Sequence, residues 1–144
     1  MKPTILALDL EGTLISNAIS QFPRPGLYQF LAQAKTLFDQ LVVLTTVPRD
    51  RFYSIAETLV KEGAAPTWFR AIPYIDWHGA TKDLRFVSPR LGDALLLDDH
   101  GAYVHAGQER LWVRIPLFVP PYAAEDNGLE LALRELLARI EDFR

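Results

Sequence analysis

The groups Asp9-Leu10-Glu11-Gly12-Thr13, Thr45-Thr46 and Asp98-Asp99-His100-Gly101 each stand directly behind a short apolar run. Taken singly, such a group marks no more than a strand end or a turn, where acids and threonines are common. Three together, including an adjacent acid pair behind four apolar residues, are better explained by convergence on one site. Carboxylates crowded together repel: two unit charges about 4 Å apart cost about 4 kcal/mol at an effective dielectric near 20. A hard divalent cation relieves that cost. Magnesium takes one or two carboxylates and completes its octahedron with water and substrate phosphate. The residues therefore point to phosphoryl chemistry, with Lys82 as a candidate partner for phosphate and carboxylate. Neither a GxxxxGKS/GxxxxGKT loop nor a GxGxxG turn occurs, so P-loop and dinucleotide readings fail and the chemistry rests on the acids.

Strands must position these groups. The apolar runs at residues 5–10, 41–44 and 94–97 do not alternate with polar residues, which fits strands covered on both faces of a parallel sheet. Weaker strands are expected at 69–74 and 111–115. Helical spacing follows Pro25-Gly26 in Leu27, Phe30, Leu31, Ala34, Leu37 and Phe38, and again over 49–61 in Phe52, Ile55, Ala56, Leu59 and Val60, with Gly63 placed to end it. Leu129, Leu133, Leu136, Leu137 and Ile140 form one stripe, read as facing the core. Alternating strands and helices predict an α/β fold, a three-layer α/β/α sandwich with a mostly parallel sheet. The Asp9 strand should be central, between the Thr45 and Asp98–Asp99 strands. Ligands bind outside the carboxyl ends of strands in such sheets, which is where the acids and threonines fall.

The 144 residues fit one domain, 1–144. A hydrophobic share of 49% with 23% charged residues excludes intrinsic disorder. A net charge of −3 offers nothing to hold a nucleic-acid backbone, and the absence of Cys removes disulfides, a thiolate nucleophile and a Cys-based zinc site. No apolar run approaches the ~20 residues of a membrane helix. The N-terminal run meets Asp9 too early for a secretory signal, which predicts a cytoplasmic protein.

LALDLEGTL (6–14) resembles the first motif of the haloacid-dehalogenase superfamily, hydrophobics followed by DxDGT. VVLTT (42–46), TKDL (81–84) and LLLDD (95–99) resemble the second, third and fourth motifs, in the family's order. RPGLYQFL (24–31) is similar to the RPGLxxFL segment of the NLI-interacting-factor-like, or RNA-polymerase C-terminal-domain, phosphatases within that superfamily. The resemblance implies a Rossmann-like fold, magnesium dependence and an aspartyl-phosphate intermediate. It makes Asp9 the nucleophile and Glu11 the general acid and base. Thr45, with Thr46 beside it, and Lys82 would bind the phosphoryl group. Asp9, Asp98, Asp99 and the backbone carbonyl of Glu11 would hold the metal.

The chain departs from the pattern at Glu11, where the family has a second Asp. Glu carries the same functional group on a longer arm, so the alternative is a catalytically weak or inactive binding or regulatory module of the same fold. It departs again at Asp98-Asp99-His100, where relatives show DDSP or DNSP, and which acid touches metal directly stays open. The order of the motifs goes against a phosphoacceptor receiver domain. Residues 15–40 and 46–81 leave no room for a large cap, which implies an open site. Such a site suits phosphorylated protein or nucleic-acid ends, or small molecules if a homo-oligomer partner closes the mouth; the acidic balance argues mildly against nucleic acid. His100 is a candidate lining residue, His78 and His105 read as surface or hydrogen-bonded residues, Trp77 as packing, and Arg49 and Arg51 as a solvated helix face.

Overall fold

The computed structural model describes residues 2–143. Met1, which opens the N-terminal run weighed above, and Arg144 lie outside them. In β1 (Ile5–Leu8) the successive residues Leu6, Ala7 and Leu8 are all fully buried. Neighbouring side chains of a strand point to opposite faces, so burial at consecutive positions requires cover on both sides. The same holds for β2 (Gln40–Val43) and β3 (Ala94–Asp98), whose runs are buried throughout except Gln40, and less strictly for the short β4 (Trp112–Arg114). The sheet order is β2-β1-β3-β4, and every pair is parallel.

Three helices complete the fold: α1 (Leu27–Leu37), α2 (Arg49–Lys61) and α3 (Gly128–Asp142). The chain steps from β1 to β2 on one side, then back past β1 to β3 on the other. Right-handed crossovers then place α1 and α2 on opposite faces of the sheet. α3 packs beside α1 and over β4, completing the three layers. Register explains the convergence of the acids: Leu8 lies opposite both Val43 and Leu97, so Asp9 and Asp98 leave neighbouring strands at the same level.

Two expectations are corrected. Residues 69–74 do not form a strand: Thr67–Ala71 is a 3-10 turn that buries Phe69, and Tyr74 meets Val43 in an isolated bridge. Pro66 starts that turn and Pro73 has no N–H to give a ladder, which limits pairing to the single bridge. The α3 stripe is also narrower than read. Leu129, Leu136 and Ile140 are buried with Ala132 between them and Leu133 packs at the edge, but Leu137 is exposed. At 100° per residue, a face centred on Leu129, Ala132, Leu136 and Ile140 turns Leu137 outward. Among the described residues no helix is long and apolar enough to cross a membrane.

Candidate active site

Asp9 follows β1 and Asp98 ends β3, and Lys82 reaches between them from the loop preceding β3. Its ammonium lies 2.9 Å from Asp9 Oδ1 and 2.6 Å from Asp98 Oδ2. All three side chains are almost wholly buried. Thr13 donates its hydroxyl 2.8 Å from Asp9 Oδ2 and 3.0 Å from Asp99 Oδ1, and the His100 backbone N–H donates to Asp98 Oδ1 at 2.9 Å. Carboxylate oxygens of Asp9, Asp98 and Asp99 lie within 4.8 Å of one another. Burial pushes the Asp9 carboxyl well above its ordinary range against the pull of Lys82, and the neighbouring Asp98 and Asp99 push the same way. Burial pulls the Lys82 ammonium down, but the two carboxylates more than offset it and hold its pKa above the ordinary value.

The donor set suits a hard cation. Three carboxylates against one ammonium leave two negative charges in a confined space, the charge a divalent ion balances. Asp98 spends one oxygen on Lys82 and the other on the His100 amide, whereas among the described residues Asp99 Oδ2 takes no hydrogen bond.

The turn after β1 is fixed by backbone constraints that sequence reading passed over. Gly12 adopts φ +76°, which strains any residue with a side chain, and a Cβ there would also crowd Asp99 Oδ2 at 2.9 Å. Arg24, fully buried, donates to the carbonyls of Gly12 and Thr13 at 3.3 Å each and pairs in bidentate fashion with Asp126 at 2.7 and 3.2 Å. Gly128 leaves room for that guanidinium; a Cβ there would lie 2.2 Å from Arg24 Nη2. The RPG signal in the sequence thus marks the brace of the turn after β1 as well as the start of α1. Glu11 points its carboxylate at the next loop, where Oε2 accepts the Ala18 N–H at 2.7 Å. Arg49 and Arg51 are exposed, as a solvated helix face requires, and there Arg51 donates to the carbonyl of Ala18 and Arg49 pairs with Asp76.

The two threonines divide. Thr45 is buried, its hydroxyl accepting the Val47 N–H at 3.1 Å and its carbonyl the Trp77 indole N–H at 2.8 Å. Thr46 is exposed and lines two adjoining cavities. One, of about 270 Å³, is bounded by Asp9, Glu11, Asp98, Asp99, His100 and Tyr103; the other, of about 300 Å³, by Thr45, Tyr74, Trp77 and His78. His100 therefore lines the site, while His105 bonds Thr81 at 2.7 Å and His78 packs edge-on to Phe86. Gln108 holds the Lys82 segment, its amide oxygen accepting the Leu84 N–H and its amide donating to Asp83.

The brace carries a pH prediction. Burial raises the Asp126 carboxyl, but hydrogen bonds from Arg24 and the Gly128 N–H outweigh it and hold the pKa below the ordinary 3.8. A depressed folded pKa gives stability that is present above the unfolded value and is lost as pH falls through the folded one. Asp126→Asn is expected to cost about 3 kcal/mol near neutrality, the scale for unpairing a buried charge. Melting curves of variant and wild type should draw together as pH falls below the ordinary carboxylate range.

Comparison with known families matches residues 4–144 to the family model described as NLI interacting factor-like phosphatase. A comparison with curated proteins finds no match.

Proposed function

The chain belongs to the NLI interacting factor-like phosphatase family, and from that premise we propose that residues 1–144 form one magnesium-dependent catalytic domain of haloacid-dehalogenase type, hydrolysing phosphomonoesters through a phosphorylated Asp9. The observation that carries the reading is the single ammonium of Lys82 shared by Asp9 and Asp98, with Asp99 closing a three-carboxylate cluster.

In the first half-reaction a carboxylate oxygen of Asp9 bonds to phosphorus while the bond to the leaving oxygen breaks, and Glu11 gives that oxygen its proton. In the second, water attacks the same phosphorus, Glu11 takes the water's proton, and the Asp9 carboxylate is released with inorganic phosphate. Splitting one displacement into two lowers each barrier. Lys82 fixes the nucleophile and balances its charge, and Thr13 orients its second oxygen. Thr45 and Thr46 border the side where the phosphoryl oxygens would lie, Thr46 as an exposed residue lining both cavities. Asp9, the Glu11 carbonyl and Asp99, whose Oδ2 is uncommitted, would hold magnesium, with Asp98 supporting Lys82. When bound, the ion supplies charge neutralisation between nucleophile and phosphate. The open cleft suits a phosphorylated protein, or a small phosphomonoester where a second copy of the chain closes the mouth.

The test is hydrolysis of p-nitrophenyl phosphate. Phosphate release should require magnesium and stop on chelation; an unchanged rate in chelator overturns the metal requirement. Glu11→Gln separates the two jobs of that side chain. Its amide oxygen still accepts the Ala18 N–H, but it transfers no proton, so kcat should fall about 10²- to 10³-fold with an unchanged melting temperature. A Gln variant as fast as wild type would assign proton transfer elsewhere.

A further inference from the structure

Lys82 has three N–H donors, and two are taken by Asp9 and Asp98. Among the described residues no oxygen takes the third. The ammonium lies instead over the ring of Tyr103, 5.0 Å from its centroid. That is within range of a cation–π contact, and burial of the ammonium strengthens it.

Tyr103 also meets Lys82 through its backbone: its carbonyl accepts the Lys82 N–H at 2.7 Å. The ring is fixed edge-on by Trp77 at 6.3 Å and by His100 at 5.0 Å, and it lines the cleft with Asp9 and Asp99. The Tyr103 hydroxyl makes no hydrogen bond among the described residues, which leaves the ring face as the part of the side chain with a defined task. The segment directly after the acid doublet therefore grips Lys82 twice, by main chain and by ring.

We propose that Tyr103 is a positioning residue of the phosphatase reaction, its ring face acting as the third partner that aims the Lys82 ammonium between Asp9 and Asp98. The proposal rests on the reading of Lys82 as the group that orients the nucleophile. A carboxylate in place of the ring would pull the ammonium away from Asp9. An aliphatic side chain would leave it free to tilt, and small misplacements in a catalytic constellation are costly.

The experiment compares Tyr103→Phe, which keeps the face and loses the hydroxyl, with Tyr103→Leu, which loses the face. In the full chain with magnesium and p-nitrophenyl phosphate, the Phe variant should keep kcat within about twofold. The Leu variant should lose about tenfold in kcat with KM little changed. Wild-type turnover in the same assay tests the phosphatase reading; the ratio between the two variants tests this one. A second readout needs neither activity nor a folded Leu variant. The Lys82 ε-methylene protons of wild type should show the upfield ring-current shift of a group above an aromatic face, and Tyr103→Phe should retain it. A Leu variant as active as wild type, a Phe variant as impaired as Leu, or unshifted Lys82 protons in wild type would each overturn the proposal.

Discussion

Lys82→Met should unfold at a temperature roughly 10–15 °C below wild type and lose about a thousandfold in kcat. The stability loss follows from what remains: Asp9 and Asp98 stay buried, face each other, and have no cation between them. Removing one partner of a buried ionic group costs about 3–5 kcal/mol, and each kcal/mol is worth about 3 °C in a domain of this size. The catalytic loss matches that for deleting one preorganised electrostatic group, about 10²- to 10³-fold. The pH dependence gives an internal check. The deficit should shrink as pH falls, because protonating the Asp9 carboxyl, which burial already pushes up, removes the repulsion that the ammonium had countered. Thermal melts over a pH series from alkaline to acidic read this directly; a deficit constant across the whole series would mean that lost packing of the lysine stem, not charge, is responsible.

Asp9→Asn should behave in the opposite way. Activity should fall by about 10⁴-fold or more, the scale for removing a covalent nucleophile, and the melting temperature should hold or rise. Burial raises the Asp9 pKa well above its usual range, so the fold disfavours the charge that chemistry requires. A raised acid pKa destabilises the folded state as pH rises from the unfolded pKa through the folded one, and the neutral amide relieves the penalty while its oxygen still accepts from Lys82. Acid quenching during turnover of a labelled phosphomonoester should trap labelled protein in wild type, cleavable by hydroxylamine, and none in the variant. Label retained by Asp9→Asn would move the nucleophile to another residue.

The acids were legible because runs such as residues 94–97 are apolar at every position, a pattern that doubly covered strands impose, and because each ends in a polar group at the same sheet edge. The central place expected for the Asp9 strand also holds, with β1 between β2 and β3, although apolarity alone does not fix it: the run at 41–44 is just as apolar and forms an edge strand. What the sequence hid depends on contacts between distant segments. Asp126 carries no local sign that it braces Gly12 and Thr13, because the link runs through Arg24. Tyr103 carries no motif that singles it out from the other aromatics. Its proximity to the acid doublet was a usable signal, but its task depends on a lysine some twenty positions earlier. Residues 69–74 misled because an apolar segment flanked by prolines can satisfy its burial in a 3-10 turn as well as in a strand.

Arg24 and Asp126 are 102 positions apart along the chain. A growing polypeptide has therefore acquired Asp9, Lys82, Asp98 and Asp99 by the time residue 99 leaves the ribosome, while the guanidinium that shapes the turn beside Asp9 still lacks its partner. Synthesis thus supplies the four residues of the acidic cluster before the carboxylate that fastens Arg24, and the turn beside Asp9 gains its brace only when the segment leading into α3 has been made.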